Sequence, residues 1–276
     1  MIELAAAMMI ASGAIHATVN AVFKSGTDKL ASRALIDISG ALFILPLIFF
    51  VPLPHGAWVW LLGSLVVHVI YFLAMVKAFQ AADMSATYPV MRGTAPVFAA
   101  MGAVIFLGDS MSLAVALGLG LVTAGIFATL IGRHLTPAAL GWSVVVGLSV
   151  ACYTVLDTGG VRSAPSEFSY IAWAFVILGG VIGAGFALYR GRPFIAYARA
   201  NWVSCGIAGC LGVVSYGLAM LAYAAEDLPR LAPLRESSIL FALLIAVVFL
   251  GEKPDRLKIL GGAIIFAGVV VLLLAR

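Results

Sequence analysis

Apolar residues run along this chain in blocks of about 20, the length of helix that crosses the hydrocarbon of a bilayer. Short polar or Gly/Pro-containing segments separate the blocks. The pattern predicts ten helices, near residues 3–23, 34–52, 57–80, 86–107, 111–131, 139–158, 169–189, 201–225, 229–250 and 258–275. Hydrocarbon offers no partner for a backbone amide, so each run must satisfy its own amides as a helix, and strands outside a closed barrel are excluded. The clearest punctuation is Pro52-Leu53-Pro54-His55-Gly56, Gly108-Asp109-Ser110 and Gly251 to Leu257, with no soluble domain among the connections. The first apolar run follows Glu3 without a basic stretch or a small-residue cleavage pattern, so it reads as a membrane helix and not as a removable signal.

The chain also repeats itself. Tyr71 to Ile131 aligns with Tyr216 to Leu274, the second copy being two residues shorter. Tyr71 then falls on Tyr216, Arg92 on Arg235, Leu107-Gly108-Asp109 on Leu250-Gly251-Glu252, Gly118 on Gly261 and Gly125 on Gly268. Helices 1 and 6 correspond as well, His16 and Asn20 matching Tyr153 and Asp157. The expected organisation is therefore a five-helix repeat over 1–135 and a second over 136–276. Five is odd, so two like halves enter the bilayer in opposite orientation, and such inverted repeats are the signature of a transporter whose substrate site lies between them. The fold class expected is an all-α integral membrane protein of ten transmembrane helices arranged as two inverted five-helix repeats.

Composition leads independently to the membrane. With 63% hydrophobic residues, 10% charged residues and a mean hydropathy of +1.14, the chain carries more apolar surface than a soluble protein encloses. The connections of helices 1-2, 5-6, 7-8 and 9-10 hold Lys24, Lys29, Arg33, Arg133, Arg190, Arg192, Arg199, Lys253 and Arg256, whereas the other connections and the termini hold only Arg162 and Arg276. Retention of positive charge on the cytoplasmic side places both termini outside the cytoplasm, in a multi-pass protein of the cell (inner) membrane. The net charge of +4 is then a property of loops near anionic lipid, and no basic folded face points to nucleic acid. Cys152, Cys205 and Cys210 fall inside predicted spans without metal-ligand spacing, so neither disulfide nor metal is expected. His-Glu-x-x-His, Gly-x-x-x-x-Gly-Lys and Gly-x-Ser-x-Gly are absent, so no enzyme and no cofactor is expected.

Each repeat has a glycine at the junction of its fourth and fifth helices, reading Leu107-Gly108-Asp109 in the first and Leu250-Gly251-Glu252-Lys253-Pro254 in the second, followed by a Gly-rich fifth helix. These features resemble the drug/metabolite transporter superfamily, in particular its ten-helix EamA-type members, across essentially the whole chain. Asp109-Ser110-Met111 departs from the motif in the first copy. The resemblance implies a secondary carrier of small metabolites, often an exporter of amino acids, and the aromatic and His content of helices 3 and 4 is similar to that of aromatic amino acid exporters.

Polar residues inside the spans carry the substrate argument, because an ionisable group at membrane depth is costly unless it faces protein, water or ligand. His68, Tyr71, Met75 and Ala78 share one face of helix 3, and Tyr88 and Arg92 form an i, i+4 pair at the start of helix 4. Rings, hydroxyls and a fixed positive charge suit an amphipathic zwitterion such as an aromatic or hydrophobic amino acid. The candidate substrate-binding set is His68, Tyr71, Tyr88, Arg92, Tyr153, Trp173, Tyr216, Arg235 and Ser238. Structural alternatives stand beside it: belt or packing roles for the aromatics, an interhelical hydrogen bond for His68, and pairing of Arg235 with Glu236, Asp157 or carbonyls. His16, Asn20, Asp157 and Glu236 are candidates for coupling to a proton or for helix-helix contacts. Gly179-x-x-x-Gly183 and the glycines of helices 5 and 10 read as close-packing points. The expected mechanism is alternating access to a cavity lined by helices 1, 3, 4, 6, 8 and 9, with 5 and 10 bracing the scaffold. The expected partners are a small-molecule substrate and the bilayer, with the protein a monomer or weak homodimer. The alternative cargo is a nucleotide sugar, a phosphate ester or a drug-like cation; phosphate-bearing cargo would want more convergent cations than Lys77, Arg92 and Arg235.

Overall fold

The computed structural model describes residues 2–82, 84–132, 135–248 and 256–275. Ten apolar helical segments follow one another: α1 (Ile2–Ser25), α2 (Lys29–Phe49), α3 (Trp58–Ala81), α4 (Met84–Gly102 with a further turn to Leu107), α5 (Leu113–Ala128), α6 (Pro137–Ser163), α7 (Glu167–Arg190), α8 (Arg192–Ala225), α9 (Leu228–Val248) and α10 (Arg256–Leu274). Nine are long and apolar enough to cross a membrane, and α5 is a shorter apolar helix of 16 residues. The chain is a ten-helix, multi-pass membrane protein. Leu250-Gly251-Glu252-Lys253-Pro254, Arg133 and Arg276 lie outside the described residues.

Several helices begin earlier or end later than hydropathy alone predicts, and local chemistry explains each case. The Asp28 side chain accepts from the Ala31 amide and caps α2, so the helix starts at Lys29 and takes in Arg33, which hydropathy assigns to the preceding connection. Burial pushes the Asp28 carboxyl up, but the Ala31 amide and the Arg190 guanidinium at 2.6 Å outweigh it and hold the group below its ordinary range. Thr136 caps α6 with Pro137 in its first turn, and α6 runs on to Ser163, placing Asp157 well inside the helix and not near its end. Pro193 likewise opens α8 close to Gly191, so that this helix reaches 34 residues and includes Arg199.

Short connections make successive helices antiparallel, so the bundle has two ends. One holds the α1–α2 connection and the other holds the α8–α9 connection. Within the bundle α3 packs on α6, α1 on α8, α2 on α7 and α8, and α5 on α10. Glycines set the closest approaches. A Cβ on Gly125 would stand 2.7 Å from the Gly261 carbonyl oxygen, and one on Gly268 would stand 2.9 Å from that of Gly118. Since 118 meets 268 and 125 meets 261, α5 and α10 run in opposite directions. Gly179 and Gly183 do the same for α7 against α2, where a Cβ would meet the carbonyl oxygens of Asp37 and Ala34 at 2.8 and 3.1 Å.

The end bearing the α8–α9 connection is closed. Fully buried Met9, Leu228, Leu231 and Leu272 pack there with Tyr223. Over them, Arg162 at the end of α6 grips Asp109 with both Nη atoms (2.5 and 3.2 Å) and donates to the carbonyls of Tyr223 and Glu226 (2.8 Å each). Asp109 also accepts from the Leu228 amide at 2.7 Å, and Ser110 donates to Asp227. Asp109 reaches this place because Gly108 turns the chain at φ 72°, a left-handed value that suits glycine. One ionic cluster thereby ties α6, the α4–α5 turn and the α8–α9 turn.

Candidate functional site

A cavity of about 210 Å³ occupies the middle of the bundle and extends toward the α1–α2 end. Its wall draws on the second half of α1, the first half of α2, the second half of α3, the start of α4, and the middle of α6, α7 and α8, with Arg235 from α9. The sequence pattern leads to six lining helices; α2 and α7 are added. They enter because Gly179 and Gly183 bring α7 hard against α2, and a π-helical turn at Phe175–Gly179 rotates Phe175 and Leu178 into the wall.

One side of the cavity is a cluster of rings. His68 stacks on Tyr153 with centroids 4.1 Å apart, Tyr71 meets Tyr153 edge-on at 5.8 Å, and Tyr216 meets Tyr153 and Phe175 edge-on at 6.3 and 6.2 Å. The i, i+4 spacing of α3 places His68 Nδ1 2.8 Å from the Ser64 carbonyl oxygen. A carbonyl only accepts, so this contact keeps a proton on Nδ1 and leaves Nε2 as the acceptor of the neutral ring.

Three guanidinium groups also line the space, and their surroundings differ. Arg33 holds Asp37 one turn along α2 through two contacts of 2.8 Å and lies 5.1 Å from the centre of the Phe72 ring. Arg92 donates to Ser238 Oγ at 2.7 Å, and its Nε stands 2.9 Å from Glu236 Oε2. That second contact is off the hydrogen-bond axis and acts as an ion pair. Arg235 lies over the Tyr216 ring at 4.8 Å, and among the described residues it has no carboxylate in salt-bridge range.

Asp157 is fully buried behind this wall. It accepts from Tyr170 at 2.9 Å and from Tyr216 at 2.7 Å. Tyr216 thus spans the distance between the cavity, where its ring faces Arg235, and a carboxylate that does not line it.

Of the residues singled out from the sequence, His16, Asn20, His68, Tyr71, Tyr88, Arg92, Tyr153, Tyr216 and Arg235 line the cavity. Asn20 and Tyr88 are joined by a 3.0 Å hydrogen bond between α1 and α4. Ser238 and Glu236 stand behind the wall as partners of Arg92. Trp173 is set apart from the cavity, edge-on to Trp58 at 6.2 Å, its Nε1 buried without a partner among the described residues. Arg33, Asp37, Phe72, Met91 and Phe175 belong to the wall but were not among the candidates. Arg33 sits at the edge of a predicted span and reads as a flanking cation, and Phe72, Met91 and Phe175 look like any apolar membrane residue.

Residues 138–274 match the family model described as the EamA-like transporter family. The second half of this chain is an EamA-like transporter domain. That domain supplies α6 to α10, and with them Tyr153, Phe175, Tyr216 and Arg235 of the cavity wall. The chain is also 27% identical over 131 residues to a protein of Sinorhizobium sp described as an uncharacterized transporter in cobO 3'region. The match takes in 48% of this chain and 93% of that protein, so the relative is about half as long. A crystal structure of another protein superposes with a TM-score of 0.78 at 17% identity, covering 100% of this chain and 97% of the other, which establishes a common fold.

Proposed function

We propose that this protein is a secondary carrier that exports small amphipathic metabolites, foremost amino acids with aromatic or hydrophobic side chains, by alternating access. The observation that carries this reading is the cavity lined by rings and by a small set of charged and hydrogen-bonding side chains, reached toward one end of the bundle and shut off at the other. Its volume of about 210 Å³ is below the roughly 300–1,000 Å³ usual for pockets that take drug-sized ligands. That suits a molecule of amino acid size and disfavours a nucleotide sugar. A doubly charged phosphate ester is disfavoured too, because Arg33 and Arg92 are already matched by Asp37 and Glu236.

In this account residues 1–135 and 136–276 act as two inverted halves that rock about the cavity. The opposed directions of α5 and α10, whose equivalent glycines exchange contacts, support the inversion, and so does a relative about half as long as this chain. The excess of Lys and Arg in the connections at the α1–α2 end supports a cytoplasmic position for that end, with both termini on the other side. The cavity of this state is then accessible from the cytoplasm. Release on the far side requires the Arg162–Asp109 cluster to part.

The test is uptake into proteoliposomes with labelled amino acids, nucleosides and sugar phosphates, with and without a pH gradient. Saturable movement of phenylalanine or leucine is expected, reduced at least tenfold by Tyr153→Ala. Movement of sugar phosphates alone would overturn the substrate assignment, and dependence on the pH gradient would identify a proton as the coupled ion.

A further inference from the structure

Internal repetition makes the arginines of the cavity comparable, and the comparison exposes one that is different. Arg92 and Arg235 are equivalent positions of the two copies, 143 residues apart, as are Gly118 and Gly261. Arg92 crosses from its own half to Glu236 and Ser238 in the other. The positions equivalent to Glu236 and Ser238 in the first copy are Gly93 and Ala95, which have no side-chain acceptor. The twin of the Arg92 contact therefore cannot form, and Arg235 is left over.

Its surroundings agree. The Nε of Arg235 is buried without a hydrogen-bond partner among the described residues, the neighbouring Glu236 is engaged by Arg92, and the guanidinium lies over the face of Tyr216. A guanidinium always carries its charge, so at this depth it stands in want of an anion. α9 is interrupted at Arg235 and Glu236, between Leu234 and Ser237, but this break does not meet that need through free amides: the Ser238 and Ile239 amides already donate to the carbonyls of Arg235 and Glu236 at 3.1 and 2.9 Å. The side chain itself is what remains.

We propose that Arg235 is the anion-recognition residue of the cavity, receiving the carboxylate of the cargo in the place that Glu236 occupies for Arg92. This rests on the cavity being the transport site. The cargo's carboxylate takes the guanidinium while its ring or alkyl chain lies among Tyr216, Tyr153 and His68, so that selectivity reads an acid at one end and an apolar body at the other. Arg33 and Arg92, matched within the protein, shape the wall.

The experiment compares molecules that share a phenyl ring: phenylalanine, phenylalaninamide, 3-phenylpropionate and phenethylamine. Binding to the purified full-length protein is followed by thermal shift, and transport by counterflow in proteoliposomes. The wild type is expected to bind the two acids and to discriminate about 10- to 100-fold against the amide and the amine. Arg235→Gln removes that preference, and Arg235→Lys restores part of it because charge returns without the planar fork. Because the amide and the amine probe the same contact in unmodified protein, the result does not depend on the variants folding. Equal binding of acid and amide by the wild type, or an unchanged preference in folded Arg235→Gln, would overturn the assignment. Arg235-dependent binding of 3-phenylpropionate without transport of any amino acid would sustain the assignment and overturn amino acid export. Amino acid transport indifferent to Arg235 would do the reverse, and binding of none of the four would overturn both.

Discussion

Asp157 shows how much of this protein's polar chemistry is internal. Its two carboxylate oxygens each accept a tyrosine hydroxyl, from α7 and α8, and no cation among the described residues stands in salt-bridge range. Asp157→Ala leaves two hydroxyls without an acceptor in a buried place, at about 1–3 kcal/mol for each. A clear fall in the melting temperature of the detergent-solubilised protein is expected, with Tyr170→Phe milder, since it removes one donor and leaves Asp157 bonded to Tyr216. An unchanged melt in Asp157→Ala would contradict the structural role. At this scale the sequence is informative wherever a polar side chain is rare in its surroundings. His68, Tyr88, Arg92 and Arg235 stand out against apolar helices for that reason, and they lie in the cavity wall. Arg33 does not stand out, because a cation at the edge of a span looks like a cytoplasmic flank until the Asp28 cap is known to draw it into α2. Phe72 and Phe175 leave no trace at all, since one more phenylalanine in a membrane helix carries no distinguishing signal.

Among elements, the glycine contacts do most to fix the helices against each other. Gly125 and Gly120 lie on the same helix, yet a Cβ at Gly125 would press on the Gly261 carbonyl and on Ile265 at 2.7–2.8 Å, while one at Gly120 would meet nothing within 4 Å. Gly125→Val is therefore expected to destabilise the protein by about 1–3 kcal/mol through overpacking, and Gly120→Val to leave the melting temperature nearly unchanged. Equal effects of the two would show that the α5–α10 contact is not as described. The number of helices was legible from hydropathy, and the close packing of Gly118, Gly125, Gly179, Gly183, Gly261 and Gly268 from glycine spacing, but the same spacing pointed to Gly120, which faces open space. The ends of helices were less so, because caps such as Asp28 and Thr136, and openings such as Pro193, act over three or four residues, while hydropathy averages over twenty. The π-helical turn of α7, which brings Phe175 into the cavity, depends on how α7 meets α2 and has no local signature in the chain.

For the whole molecule, the functional consequence lies in an asymmetry. The bundle is packed and ionically tied at the α8–α9 end, yet hollow from the middle toward the α1–α2 end. The repeat in the sequence makes two like halves expected, but a repeat is symmetric and does not say at which end the cavity opens. The most direct measurement is the reactivity of a single cysteine at Met75, a cavity position on α3, in a protein whose three native cysteines have been replaced. A membrane-impermeant maleimide is expected to modify Met75→Cys much faster from the α1–α2 side than from the other, and saturating phenylalanine to slow the reaction several-fold. Reaction at equal rates from both sides, or a rate that no transported compound alters, would contradict that expectation.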